Sequence, residues 1–187
     1  MTRDGRFQLN KNGELLNSMR LPAVPPFNNA VMRGSPNFSR DGEYLAASPS
    51  DGRGILFDKT GKVLWERGLS RPTEVDGSVI NASGREGYVT DYGVLFTTIA
   101  TFNRENWQLP TPVEHPSANT LFAFNLDGSF KFQYQAKATM EMVAFSDNGL
   151  AACAIGRNVR THDYKAHGGL IIDLQTGKEK KFYQTEG

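Results

Sequence analysis

Three histidines, His115, His162 and His167, are the residues of this chain best suited to chemistry. Imidazole titrates near neutral pH and is the commonest metal ligand. All three fall in two polar stretches, about 102–118 and 156–168, with Trp107, Arg157, Arg160, Asp163 and Tyr164. Three histidines and an aspartate match the donor set of a zinc or iron site. No two of them stand at a recognised ligand spacing, so no metal is expected. The sharper expectation is a small-ligand or peptide site built from Trp107, His115, Arg157, Arg160, His162, Asp163 and His167. The plainer one is that solvated loops hold polar residues.

Signatures of catalysis are missing from the sequence. It has no Gly-x-Ser-x-Gly elbow, no His-Glu-x-x-His and no phosphate-cradling glycine loop. Glu74, Asp76, Asp91, Glu114 and Asp163 read as turn formers or solvated charges. The single cysteine, Cys153, sits among Ala151, Ala152 and Ala154 with no basic neighbour. That pattern describes a packed core thiol rather than a nucleophile, and one cysteine forms no internal disulfide. No catalytic residue and no cofactor is expected.

Charge excludes further classes. The 187 residues carry 21 basic and 20 acidic side chains, a net charge of +1. The densest patch, Lys178-Glu179-Lys180-Lys181, mixes signs, so the basic stripe of a nucleic-acid binder is absent. No apolar run is long enough for a membrane helix. The opening Met-Thr-Arg-Asp-Gly lacks the apolar region of a signal peptide, so none is expected in the chain as given and its compartment stays open. Asn37 and Asn81 are formal glycosylation acceptors with no accompanying signal.

These candidate residues must be positioned by a repeat. Ile55–Trp65 places two apolar runs around Asp58-Lys59-Thr60-Gly61, where Asp58 can bond its own downstream backbone and Gly61 can supply a positive φ. That is a hairpin, and related ones surround Gly13, Gly128 and Gly177. A second hairpin interleaves with it. Phe38-Ser39-Arg40-Asp41-Gly42 matches Phe145-Ser146-Asp147-Asn148-Gly149, with a weaker copy at Tyr88–Gly93. Two hairpins, hence four strands, recur roughly every 50 residues, the size of a four-stranded antiparallel blade in a radial array. Small residues (Ala46, Ala47, Ser48; Ala151, Ala152, Cys153, Ala154) follow the first turn and suit crowded inner strands. Phe57, Trp65, Phe122, Phe124, Phe130 and Phe132 suit outer strands pressed on a neighbouring blade. Helical periodicity is nearly absent; Arg104–Leu109 could make one turn at most.

Asp58, Gly61-Lys62 and Trp65 together resemble the repeat of quinoprotein-type β-propellers, where an Asp, a Thr-Gly-Lys turn and a docking Trp recur once per blade. Asp173, Thr176, Gly177 and Lys178 match that turn; the docking position holds Asn17, Phe132 and Lys181 in the other copies. The Phe-Ser-Arg-Asp-Gly turn resembles WD-repeat-like propellers. The resemblance implies an all-β, propeller-like fold. It does not imply quinone chemistry, because the family's paired cysteines have no counterpart here.

The expected organisation is one domain over 1–187: a half blade at 1–22 and blades at about 30–70, 76–136 and 139–187. A closed ring needs at least four blades, and an open arc leaves edges and an apolar flank exposed. Three readings stand: a piece of a longer propeller, a ring closed with a second copy, or a small irregular domain closed by its own N-terminal strands. The longest insertions share a face with the blade-to-blade connections, and loops on a rigid scaffold carry binding residues. The expected function is therefore a non-catalytic binding or assembly module presenting loops 102–118 and 156–168 to a protein partner or a second copy. The alternative is a fragment of a ligand- or metal-binding propeller enzyme or sensor.

Overall fold

The computed structural model describes residues 6–23, 30–75, 77–100, 115–156 and 167–185. Its regular structure there is strand throughout. In chain order, β1 (Arg6–Lys11) and β2 (Glu14–Arg20) form a two-stranded sheet. The first blade is β3 (Asn37–Phe38), β4 (Tyr44–Ala47), β5 (Arg53–Asp58) and β6 (Val63–Gly68). A small hairpin, β7 (Thr73–Val75) with β8 (Ser78–Ile80), follows. The second blade is β9 (Ala82–Thr90), β10 (Gly93–Ala100), β11 (Thr120–Phe124) and β12 (Phe130–Gln135); the third is β13 (Met140–Phe145), β14 (Leu150–Ile155), β15 (Gly168–Asp173) and β16 (Glu179–Gln184). In each blade the strands are antiparallel and lie in sequence order. Residues 78–80, expected at the start of the second blade, pair instead with 73–75.

The turns form for the reason their residues suggest. Asp58 Oδ1 accepts from the Thr60 and Lys62 amides at 2.8 and 3.1 Å and from Thr60 Oγ1 at 2.6 Å. Gly61 takes φ 84°, a region that costs an L side chain strain. Asp127 and Asp173 hold their turns in the same way, accepting from the Ser129 amide and from the Gln175 and Thr176 amides. The other hairpin turn uses a hydroxyl: Ser39 Oγ accepts from the Tyr44 amide at 3.0 Å, and Ser146 Oγ from the Leu150 amide at 3.0 Å.

Blades stack through one apolar cluster per junction. Phe7 and Leu9 of β1 meet Leu45, Ile55 and Phe57 of the first blade, with the Phe7 and Phe57 rings stacked at 5.2 Å. Ala46 and Leu56 meet Val94, Phe96, Phe122 and Phe124 of the second blade. Leu95 and Ala123 meet Ala151, Cys153, Leu170 and Ile172 of the third. Ala46, Ala47, Ala151 and Cys153 are buried on the second strands as expected, whereas Ala152 is exposed. Burial of Cys153 pushes its thiol up to about 12, as a core thiol should behave. Phe130 departs from expectation: it is 58% exposed, while Phe132, two residues on, packs inward.

The docking position repeats across the junctions. Asn17 Nδ2 donates to the Thr60 carbonyl at 3.0 Å, beside Gly61. Trp65 Nε1 donates to the Leu126 carbonyl at 2.8 Å, with its ring against Gly128. Phe132 covers Gly177, where an added Cβ would lie 2.4 Å from the ring. The outermost strands β2, β6 and β12 thus each reach over the turn glycine of the following blade. Arg53, itself buried, ties the region before the first blade into it: Nη2 donates to the Pro22 carbonyl at 2.7 Å while Nε donates to Asp51 at 3.0 Å.

Candidate functional site

Blade topology sends the β3–β4, β9–β10 and β13–β14 turns to one face and the β10–β11 and β14–β15 loops to the other. The expected site lies on the loop face. Trp107, Arg157, Arg160, His162 and Asp163 fall outside the described residues. His115 and His167 are described, and the structure does not bring them into one site. His115 is buried. Its Nδ1 accepts from the Ser117 amide at 3.0 Å, so Nε2 carries the proton and donates to the Arg71 carbonyl at 2.7 Å; Thr73 Oγ1 lies 3.3 Å from the same nitrogen. Both ring nitrogens are spent on holding the loop end to the chain that leaves the first blade. His115 borders a cleft of about 400 Å3 between the first two blades, also lined by Arg67, Arg71 and Phe130. His167 lies elsewhere, half-buried before β15, where its carbonyl accepts from the Thr185 amide at 3.2 Å. Among the described residues no three His, Cys, Asp or Glu side chains converge as a metal site.

The loop ends do sit against a blade connection, as expected for that face. The Asn119 carbonyl accepts from the Ala136 amide at 2.8 Å, and the Thr139 carbonyl accepts from the Gly156 amide at 2.7 Å.

A larger concavity, about 930 Å3, opens on the opposite face. It runs between the innermost strands β3, β9 and β13 and their turns, so residues distant in sequence meet there. Phe38, Tyr44, Tyr88 and Phe145 give it an aromatic floor, with Tyr88 and Phe145 edge to face at 4.9 Å. Burial, then the bond to Glu86, raises the Tyr88 phenol, which keeps it a donor to that carboxylate. The rim is charged. Arg40 Nη1 reaches Asp147 at 3.5 Å, linking the turns of the first and third blades. Both are exposed, so this pair contributes little stability. Tyr92 Oη donates to the Asp147 carbonyl at 3.0 Å, and Lys131 Nζ donates to the Tyr92 carbonyl. Asp41 accepts from Ser39 Oγ and the Glu43 amide, which holds its carboxyl below the usual range. Sequence reasoning passed over this face because its turns are short. Its signal was the repeated Ser/Thr-x-x-Gly hinge that places Arg40, Asp91 and Asp147 at equivalent tips.

The radial array has counterparts among solved structures. BamB from Moraxella catarrhalis superposes with a TM-score of 0.57 at 13% identity, over 92% of this chain and 40% of that one. The Neurospora crassa Pan2 WD40 domain gives 0.55 at 14% identity, over 87% and 41%. The WD40 beta propeller domain of Doa1 gives 0.51 at 13% identity, over 97% and 48%. The chain is a partial β-propeller. This partial propeller spans under half the length of those structures, and at such identity the likeness establishes the fold alone. No family model matches it, and no curated protein matches it in sequence. Its fold agrees with the quinoprotein-type and WD-repeat-like resemblance read from the turns.

Proposed function

We propose that this partial propeller is a non-catalytic binding or assembly module, with residues 1–187 acting as one domain, and that its partner is a protein. The observation that carries the reading is the axial concavity on the turn face. An aromatic floor with hydrogen-bonded turns around it is a pre-formed site of the size that binds a peptide segment. Phe38, half exposed, offers an apolar anchor point, and the Asp91 carboxylate offers a counter-charge to a basic residue. The partner inferred is an extended segment that pairs an apolar or aromatic side chain with a lysine or arginine.

A displayed peptide library panned on the whole chain tests this. Selected peptides should carry that pairing and lose about tenfold or more in affinity with Phe38→Ala or Asp91→Lys, the size of one lost anchor. Peptides whose binding ignores both variants would remove the axial site from the proposal.

Loops 102–118 and 156–168 are a second proposed surface. The cleft lined by Arg67, Arg71 and His115 supports it. On this reading Trp107, Arg157, Arg160, His162, Asp163 and His167 contact the partner directly, while His115 positions the loop. Selected peptides sensitive to His162→Ala or Arg160→Ala, and not to Phe38→Ala, would favour it.

A further inference from the structure

The cross-strand rows at the junctions show what is missing at the third blade. In the first blade Asn37, Ala46, Leu56 and Trp65 lie side by side across β3–β6. Ala46 and Leu56 are fully buried under the second blade. In the second blade the row is Tyr88, Leu95, Ala123 and Phe132. Leu95 and Ala123 are fully buried under the third blade. In the third blade the row is Ala144, Ala152, Ile171 and Lys181. Here Ala144, Ala152 and Lys181 are exposed and Ile171 is only half-buried.

Glycine spacing makes the same point by shape. Gly54 stands two residues before Leu56, and an added Cβ there would lie 2.6 Å from the Phe96 ring of the second blade. Gly169 stands two residues before Ile171, and an added Cβ there would meet nothing within 4 Å. The first and third blades therefore present near-identical faces, glycine, alanine and a branched aliphatic in register. Among the described residues only the first is filled.

We propose that this face of the third blade is a docking surface for a further complete four-stranded blade from outside residues 1–187, with a bulky aromatic on its second strand to fill the space over Gly169 and a turn glycine beneath Lys181. The inference rests on the assembly part of the proposed function. It continues an interface that the chain already makes between its own blades. A second copy docked head to tail would present its β1–β2 sheet, which among the described residues lacks the matching surface. The outward face of β1 is Arg6, Gln8 and Asn10, all exposed, where the corresponding faces of the three blades are apolar. Among the described residues the two-stranded β1–β2 sheet matches only the outer pair of a blade, so it has no counterpart of β10, the strand that carries Phe96.

The probe is a repeat of residues 72–138, the chain's own blade that covers Gly54, appended after residue 185. The unextended chain is expected to sediment as a monomer. In the extended chain, amide exchange in β15 and β16 should slow by about tenfold or more. Phe96→Ala in the appended copy alone, or Ile171→Asp, should abolish that slowing. Ile171→Asp in the unextended chain should leave its circular dichroism unchanged, which separates lost docking from lost folding. Equal exchange with and without the appended blade would overturn the proposal. So would a dimer of the unextended chain that Ile171→Asp dissociates, because a second copy would then be the occupant. Neither result bears on peptide binding at the axial site, which the Phe38 and Asp91 variants test separately.

Discussion

Gly128 shows how closely residue identity is set by a neighbour. Its φ is 82°, and an added Cβ would lie 2.8 Å from Arg67 and 3.1 Å from the Trp65 ring. Arg67 Nε also donates to the Gly128 carbonyl at 2.9 Å, so the turn is clamped from two sides. Gly42 has a similar φ of 73° with open space around it. Gly42→Ala should therefore cost only the strain of a left-handed L residue, about 1–2 kcal/mol. Gly128→Ala should cost at least about 1 kcal/mol more, because the Trp65 ring is held by its bond to Leu126 and cannot retreat freely. Urea unfolding of the two variants measures the difference. Cys153 offers a second residue-scale check. With burial raising its thiol to about 12, a disulfide-exchange reagent at pH 8 should leave the native chain unmodified. It should modify one thiol per chain in denaturant.

At the scale of the element, the blades are hairpins locked by carboxylates. Asp41, Asp58, Asp127 and Asp173 are all held below the ordinary aspartate value, first by hydrogen bonds from Ser39, Thr60, Ser129 and the Thr176 amide respectively. A depressed folded-state value means the native chain binds protons less readily than the unfolded chain. The contribution to stability is then complete above the unfolded aspartate value, about 3.9, and is lost as pH falls through the lower folded values. The urea midpoint should stay level from pH 7 to about 5 and drop below about 4. Replacing all four by Asn, which keeps the acceptor and removes the titration, should flatten that drop. These turns were legible in the sequence because an Asx side chain, a hydroxyl and a glycine at fixed offsets act locally. So was the docking position at Asn17, Trp65 and Phe132, which follows each turn at nearly constant spacing. The exposure of Phe130 was not, since a bulge between Ala123 and Phe124 shifts the register of that strand pair. The β7–β8 hairpin also escaped, being short and lacking a strong apolar alternation.

For the molecule as a whole, each neighbouring pair of sheets shares an apolar cluster, so no blade buries its faces alone. Nearest-neighbour coupling of this kind makes stability depend on the interfaces as much as on the blades. Phe7→Ala removes a stacked ring from the first interface and should cost about 3–5 kcal/mol if the whole chain unfolds as one unit. Hydrogen exchange distinguishes the outcomes. A loss shared by all three blades indicates one cooperative domain, whereas a loss confined to β1–β2 indicates local release of the half blade.

The sequence by itself determined the repeat: strand, Asx or hydroxyl turn, glycine, strand, and one reaching side chain per unit. Those features depend on contacts within a few residues, where residue type fixes backbone geometry. Tertiary structure alone decided which surfaces exist. The axial concavity joins Phe38, Tyr88 and Phe145 from three blades, and the role of His115 follows from a carbonyl at Arg71. The empty space over Gly169 has meaning only beside the filled one over Gly54. Burial and complementarity are properties of pairs brought together by folding, and a linear pattern does not name the partner.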